Sequence, residues 1–212
     1  MTNSEVERPI ITVIDYQAGN IRSVEKALEK SGASVRVSGK ASDLEKSDAV
    51  VFPGQGSCDS SMVNLRNQGL DEILVEWINS GKPFMGVCLG LQLLLEESDE
   101  GDEKGLGVLE GRVEKLPEGQ KIPHMGWNSV RFTTDHPVFK GVSQNSYFYF
   151  VHSYIAVPKA SSIIAGHTEY GRDFCSAVAF DNVVAVQFHP EKSGENGLNI
   201  YKNFVSYVES SS

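Results

Sequence analysis

Residues 84–94 read FMGVCLGLQLL, a run in which one cysteine stands between two glycines in an otherwise apolar stretch. The run predicts a buried strand that passes into a helix, with Cys88 at the junction. Gly86 and Gly90 give the G-x-nucleophile-x-G spacing of a nucleophile elbow, whose tight turn holds the nucleophile in an exposed and strained position. The N-terminus of the following helix would favour a thiolate over a thiol. The competing interpretation of Cys88 is a small buried hydrophobe.

Strand and helix signals alternate through the first half of the chain. Strands are predicted at 10–15, 34–38, 49–54 and 83–88, and helices from about Ile21, over 70–81 and after Cys88. Strands separated by helices predict βαβ units, and therefore an α/β fold with a parallel sheet covered by helices.

The second half of the chain is rich in strand signals and has few helix signals. An acidic loop at 97–105 (ESDEGDEKG) is expected to be a solvated turn. The β-rich runs beyond it predict antiparallel strands that continue the sheet or form a small side sheet, and a helix over 197–208 closes the chain. No repeat or linker divides the sequence, so one domain is predicted over 1–212.

Composition and charge exclude several classes of protein. A hydrophobic content of 40% with 22% charged residues is ordinary for a soluble globular protein, and a net charge of −9 argues against a nucleic-acid partner. No apolar run is long enough to span a membrane, and the acidic N-terminus is unlike a signal peptide, so a cytoplasmic location is expected. The three cysteines are predicted to be free thiols. A dedicated metal site is not expected, because C-x-x-C and H-E-x-x-H are absent, and no cofactor is expected either.

A base for the cysteine is found near the end of the chain. His189 ends an apolar strand and is followed by Pro190 and Glu191. Because proline disfavours the α region for the residue before it, this segment is expected to be extended, with residues 189 and 191 on the same side. Glu191 would then orient the imidazole, which completes a nucleophile–base–acid triad with Cys88. The alternative is an ordinary surface turn.

The loop at 53–56 (PGQG) follows a predicted strand. Its two glycines would let the backbone turn its N–H groups towards a ligand. A second oxyanion donor is expected there, beside the N–H of Leu89. A generic tight turn explains the same residues.

Taken together, PGQG at 53–56, GVCLGLQLL at 86–94 and FHPEKS at 188–193 resemble the class-I, triad-type glutamine amidotransferases over nearly the whole chain. The resemblance implies a three-layer, flavodoxin-like fold with a mostly parallel sheet and a small antiparallel side sheet. Within that family, three further segments resemble the glutaminase subunits of imidazole glycerol phosphate synthases: DYQAGNI at 15–21, PHMGWN at 123–128 and YFVHSY at 149–154.

The resemblance implies a role for each matching residue. Cys88 would attack the side-chain amide of L-glutamine, His189 would move protons, and Glu191 would orient His189. The other implied positions are the oxyanion hole of Gly54, Gln55 and Leu89; a glutamine pocket of Gln92, Tyr149, His152, Ser153 and Tyr154; and a partner interface of Asn20, Trp127 and Lys192. The implied partner is a (β/α)8-barrel cyclase subunit, which would receive the ammonia within a heterodimer.

Some alternatives stay open at this point. Gln55 stands where the family usually has valine, which leaves open the resting position of the oxyanion loop. Trp127 could also be a core aromatic, and Lys192 a solvated surface charge. The chain could instead be the glutaminase subunit of an anthranilate, pyridoxal phosphate or GMP synthase. It could also be a non-catalytic docking subunit, or another hydrolase with a cysteine at a nucleophile elbow.

Overall fold

A computed structural model describes residues 8–17 and 21–211 of the chain. Asn20, expected at a partner interface, lies outside the described residues. The strands are β1 (Ile10–Ile14), β2 (Ser34–Ser38), β3 (Ala49–Phe52), β4 (Phe84–Val87), β5 (Leu95–Ser98), β6 (Leu109–Lys115), β7 (His124–Phe132), β8 (Ser146–His152), β9 (Tyr154–Pro158), β10 (Ile164–Glu169), β11 (Asp173–Phe180) and β12 (Val183–Val186). The α-helices are α1 (Ile21–Lys30), α2 (Ala41–Leu44), α3 (Cys58–Asn67), α4 (Leu70–Asn79), α5 (Leu89–Gln92) and α6 (Gly194–Ser211).

The sheet has a parallel centre and an antiparallel extension. Its order is β2-β1-β3-β4-β12-β11-β10-β7-β8, and the first five of these strands are parallel to one another. From β11 onward the pairing along this order is antiparallel. A side branch leaves β11 through β9 to β6 and β5. The predicted parallel sheet is confirmed, and the antiparallel strands continue it.

Helices cover both faces of the parallel centre. Every residue of β3, β4 and β12 is buried, as expected for strands enclosed on both sides. Successive side chains of β4 enter opposite cores: Met85 packs with α1 and α6, whereas Phe84 packs with α3 and α4. This three-layer arrangement holds the carboxyl ends of β4 and β12 side by side, where sites form in α/β sheets.

The predicted helix after Cys88 is much shorter than expected. It ends at Gln92 after one turn, and the chain then enters β5. Leu93, Leu94 and Leu95 are all buried, and three consecutive residues cannot lie on one face of a helix. Leu95 instead pairs with Leu109 in β6, so strand pairing overrides the helical pattern.

The acidic loop at 97–105 is not a free solvated turn. The carboxylate of Glu100 accepts a 2.7 Å hydrogen bond from the N–H of Cys58 at the start of α3. Asp59 in turn accepts a hydrogen bond from the N–H of Glu103. Acidic groups at a helix N-terminus satisfy its unpaired N–H groups, so the charge of this loop fastens it to α3.

In the part of the chain that the structure describes, no helix is long and apolar enough to cross a membrane. In the same ranges, no group of three or more His, Cys, Asp or Glu side chains is arranged to hold a metal ion. Cys58, Cys88 and Cys175 are free thiols, as predicted, and all three are buried.

The packing at α5 predicts a large effect of one methyl group. A Cβ added at Gly90 would lie 2.4 Å from the carbonyl oxygen of Phe52, and backbone cannot move aside cheaply. We expect Gly90→Ala to lower the free energy of unfolding by about 2 kcal/mol. Urea unfolding measures this loss. The exposed position Ser206 in α6 offers a control, since Ser206→Ala should change stability by less than about 0.5 kcal/mol; equal effects at the two positions would contradict the packing argument.

Candidate active site

Cys88 occupies a strained turn between β4 and α5. Its φ of +53° and ψ of −104° lie outside the regions that side-chain-bearing residues usually adopt. A 2.7 Å hydrogen bond from its N–H to the carbonyl of Val186 in β12 holds it there. The strain is as predicted, but the predicted exposure is wrong: Cys88 is only 7% exposed, because it lies on the wall of a cavity.

Three glycines allow the backbone to close around this turn. A Cβ at Gly86 would lie 2.6 Å from the carbonyl oxygen of Gly90. A Cβ at Gly54, in the loop after β3, would lie 2.4 Å from the N of Leu89. The elbow glycines and the glycine of the PGQG loop are therefore required by close approach of backbone to backbone. The sequence pattern predicts this for the elbow glycines, whereas for the PGQG loop it predicts only the freedom to turn N–H groups towards a ligand.

His189 and Glu191 form the second part of the site. The Nδ1 of His189 lies 2.8 Å from the Oε1 of Glu191, and both side chains are almost completely buried. The predicted contact is present, although Pro190–Lys192 forms a 3-10 turn and not the expected extended segment. Tyr201 from α6 donates to the other carboxylate oxygen at 3.5 Å.

The electrostatics of His189 follow from its two neighbours. Burial alone would lower its pKa, but the sulfur of Cys88 and the carboxylate of Glu191 outweigh burial and raise the pKa above the ordinary value. The carboxylate fixes the tautomer by accepting from Nδ1, which leaves Nε2 directed away from Glu191. Among the described residues, that Nε2 is the buried side-chain nitrogen or oxygen without a hydrogen-bond partner. It is placed to exchange a proton.

The oxyanion loop lies against the elbow, but its expected second donor is engaged elsewhere. Gly54 packs on Leu89, whose N–H is the first of α5 and has no acceptor within the helix. The N–H of Gln55 donates to the hydroxyl of Tyr16 at 3.3 Å. That hydroxyl donates in turn to the carbonyl of Pro53 at 2.9 Å. Thus Leu89 offers an oxyanion donor in this conformation, whereas Gln55 would have to turn its peptide.

A cavity of about 410 Å³ opens over the Cys88 sulfur. This volume suits a small amino acid. Nine of the predicted site residues line it, together with Gly56, Glu100, Pro123 and Val151. The nine are Gly54, Gln55, Cys88, Leu89, Gln92, His152, Ser153, Tyr154 and His189. Tyr149 does not line the cavity, contrary to expectation.

Tyr149 belongs to an exposed aromatic face on the β7–β8 hairpin. We define this face by Met125, Trp127, Tyr147, Tyr149 and Lys192. Met125, Trp127 and Tyr147 are 61%, 56% and 59% exposed, so the core alternative for Trp127 is wrong. The ring of Tyr149 contacts that of Trp127 edge-on, and the ammonium of Lys192 lies 5.9 Å from the Tyr149 ring centre. A large apolar face of this kind is typical of a protein interface.

Sequence reasoning missed three residues at the site. Glu100 lines the cavity, although it had been assigned to a solvated loop. Tyr16 holds the oxyanion loop, and Gln187 contacts the sulfur of Cys88. Gln187 left a signal in the sequence, as a polar residue that interrupts the apolar run VVAVQF just before His189, and Tyr16 lies in the segment at 15–21 that carries the resemblance.

His152, which lines the cavity, forms a pair with His124. His124 and His152 are joined by a 3.0 Å hydrogen bond between ring nitrogens. Burial lowers the pKa of His124 to about 4 and that of His152 to about 3. Both rings are therefore neutral at physiological pH, and His189, whose pKa is raised, is the histidine at the site that is suited to proton transfer.

Comparisons with known proteins now decide the family. The model described as Glutamine amidotransferase class-I matches residues 12–207. A protein of Methanocaldococcus jannaschii named imidazole glycerol phosphate synthase subunit HisH is 48% identical over 200 residues, which cover 94% of this chain and 100% of that protein. A protein of the same name from Nitrosomonas europaea is 47% identical over 209 residues, covering 93% and 98%. The chain belongs to the class-I glutamine amidotransferases, in their HisH branch.

Solved structures agree with this amidotransferase fold. The structure of PurLQS from Thermotoga maritima superposes with a TM-score of 0.77 at 19% identity, covering 95% of this chain and 99% of that one. The glutaminase domain of CTPS from Trypanosoma brucei, with bound acivicin, superposes with a TM-score of 0.69 at 15% identity, covering 95% and 94%. At these identities the likeness concerns the fold alone.

The contact between His189 and Glu191 generates a prediction for this amidotransferase. Glu191→Gln keeps the size of the side chain but removes a charge that raises the pKa of His189. We therefore expect the pKa of His189 to fall in the variant, which an NMR titration of the histidine rings measures. His136, which Glu191 does not affect, is an internal control. An unchanged His189 midpoint would contradict the assigned role of Glu191.

The same shift has a consequence for stability. Because the folded-state pKa of His189 is raised, its stabilisation is complete below about pH 6.5 and is lost as pH rises through the raised value. The free energy of unfolding should consequently fall more steeply towards alkaline pH in the parent than in Glu191→Gln.

Proposed function

We propose that this chain is the glutaminase subunit of an imidazole glycerol phosphate synthase, which hydrolyses L-glutamine and supplies ammonia for histidine biosynthesis. The observation that carries the proposal is the buried Cys88–His189–Glu191 constellation on the wall of the 410 Å³ cavity. The HisH relatives supply the choice of synthase.

The proposed reaction begins with attack of the Cys88 thiolate on the side-chain amide carbon of glutamine. The N–H of Leu89 would stabilise the oxyanion, joined by the N–H of Gln55 once that peptide turns away from Tyr16. His189 would protonate the departing nitrogen, which releases ammonia and leaves a γ-glutamyl thioester. A water molecule, deprotonated by His189, would then hydrolyse the thioester to glutamate and restore the thiol.

The lining of the cavity supports glutamine as the substrate. Glu100 contributes a carboxylate, whose charge is opposite to that of the α-ammonium group of an amino acid. Gln92 offers a side-chain amide close to Cys88, and the backbone of 151–154 offers peptide groups for the polar end of the substrate. We assign substrate binding to these groups and to Ser153.

The exposed aromatic face is the proposed surface for the cyclase. Its aromatic rings and Met125 fit an interface core, and Lys192 gives it a cationic edge. The proposed partner is a (β/α)8-barrel subunit in a heterodimer, which would use the ammonia to form imidazole glycerol phosphate and an aminoimidazole carboxamide ribonucleotide. Trp127 and Lys192 keep their assigned interface roles in this proposal.

We also propose that residues 1–212 form one amidotransferase domain. The family model spans 12–207, and the described strands form one connected sheet. A cytoplasmic location is part of the proposal, because the three unpaired cysteines suit a reducing compartment. The intact triad disfavours a non-catalytic docking role, and the HisH relatives disfavour the anthranilate, pyridoxal phosphate and GMP alternatives.

Glutamate release from glutamine tests the nucleophile and the partner together. We expect weak release by the chain alone and strong release with a barrel cyclase and its ribonucleotide. Cys88→Ala should abolish release in both conditions. The matched control is Cys58→Ala, at a buried thiol outside the cavity, which should retain release.

Two outcomes would contradict the proposal. Release that persists in Cys88→Ala would remove the assigned nucleophile. Equal release with and without the cyclase would remove the partner and leave a free-standing glutaminase.

The role of Glu100 predicts a separation of kinetic constants. Glu100→Gln removes the charge but keeps an oxygen that can accept from the N–H of Cys58. We expect the KM for glutamine to rise about tenfold with little change in kcat, since the lost attraction serves binding and not the reacting bond. Glu97→Gln, at an exposed position of β5, is the control. A fall in kcat alone would argue against binding of the α-ammonium group.

A further inference from the structure

Gln187 is a buried amide beside the reacting sulfur. It follows β12 directly and is 0% exposed, in a run whose other members are apolar. Its Nε2 donates to the Sγ of Cys88 at 3.5 Å. A buried amide among apolar side chains is unfavourable unless its groups are bonded, so the partners of Gln187 decide what it does.

Hydrogen bonding fixes which end of the Gln187 amide faces the sulfur. The chain of bonds starts at the backbone carbonyl of Tyr154, which can only accept. Gln92 therefore presents its Nε2 to that carbonyl, at 2.9 Å. The same Nε2 donates at 3.0 Å to Gln187, so the atom of Gln187 that receives it must be the oxygen Oε1. The remaining end of Gln187, at the sulfur, is consequently the NH₂ group.

The pair of His124 and His152 supplies a second hydrogen-bond donor to the carbonyl of Tyr154. The Nδ1 of His152 lies 2.8 Å from the carbonyl of Tyr154, so it carries a proton and donates to the same oxygen as Gln92. The carbonyl of Tyr154 thus accepts two hydrogen bonds, and the orientation of Gln92 does not depend on the substrate. An amide set in this way offers a donor whether or not the cavity is occupied.

We propose that Gln187 is an oriented N–H donor that stabilises the negative charge on the Cys88 sulfur, and that Gln92 positions it. The sulfur then has a side-chain N–H donor in addition to its neighbour His189. The Sγ of Cys88 also lies 3.9 Å from the carbonyl oxygen of Val151, a longer contact than the 3.5 Å one to Gln187. The inference deepens the proposed function, because it rests on Cys88 as the nucleophile of the same site.

Alkylation of Cys88 by iodoacetamide tests the donor without glutamine or a cyclase. Only the thiolate reacts, so the pH midpoint of the alkylation rate reports the charge on the sulfur. Peptide mass spectrometry separates Cys88 from the buried Cys58 and Cys175. Gln187→Met has a similar size and no donor. We expect its midpoint to lie about one pH unit above that of the parent, the shift that corresponds to loss of one hydrogen bond to a charged group.

A second variant and a control keep the test decisive. Gln187→Glu is isosteric and places a carboxylate at the sulfur, so its midpoint should rise further; it answers the question if Gln187→Met does not fold. Gln144→Met is the control, since the side chain of Gln144 hydrogen-bonds the backbone of Phe132, and its midpoint should equal that of the parent. Midpoints unchanged in the folded Gln187 variants would overturn the inference.

The alkylation result is separable from the proposed function. A chain that releases no glutamate yet shows the raised midpoints would refute the glutaminase assignment and support the donor. A chain that releases glutamate with unchanged midpoints would support the glutaminase and refute the donor.

Discussion

The contact of backbone with backbone at the elbow is the constraint on which the site depends. Gly54 meets Leu89, Gly86 meets Gly90, and Gly90 meets Phe52, each at a distance that a Cβ would not permit. These contacts join the ends of β3 and β4 to the single turn of α5. The strained φ of Cys88 persists because the surrounding packing leaves the residue no other conformation. The oxyanion loop and the nucleophile are thus parts of one packed unit.

That unit holds charges in a buried place, and neighbouring polar groups compensate for the lost water. An imidazole and a carboxylate with almost no exposure would be unfavourable if either stood alone. Glu191 is met by the His189 ring and by the Tyr201 hydroxyl, and the sulfur is met by Gln187. Burial of these charged groups is unfavourable, but it also strengthens their interactions with each other, since the local dielectric is low. The same burial therefore accounts for both the reactivity of the site and the free energy that is lost by removing its charges from water.

Local patterns predicted the parts of the site that lie close together in the chain. The elbow, the PGQG loop and the contact of His189 with Glu191 each follow from spacing and from the properties of glycine and proline. Glu100, Tyr16 and Gln187 could not be found this way, because their partners are far away in sequence: Glu100 meets Cys58, and Gln187 meets Cys88. The predicted length of α5 was wrong for the same reason. The helix ends because β5 pairs with β6, which lies farther along the chain.

Tyr149 in β8 belongs to the exposed aromatic face and also contacts His189 through its backbone. The carbonyl of Tyr149 accepts from the N–H of His189, while its ring contacts Trp127. Such continuity does not by itself couple a partner to catalysis, because a partner shifts an equilibrium only where it binds two arrangements unequally. The structure shows the peptide of Gln55 bonded to Tyr16, and the proposed reaction requires a second arrangement in which this peptide turns its N–H towards the sulfur. Control by a partner would therefore require that binding at the aromatic face favour this second arrangement over the one bonded to Tyr16.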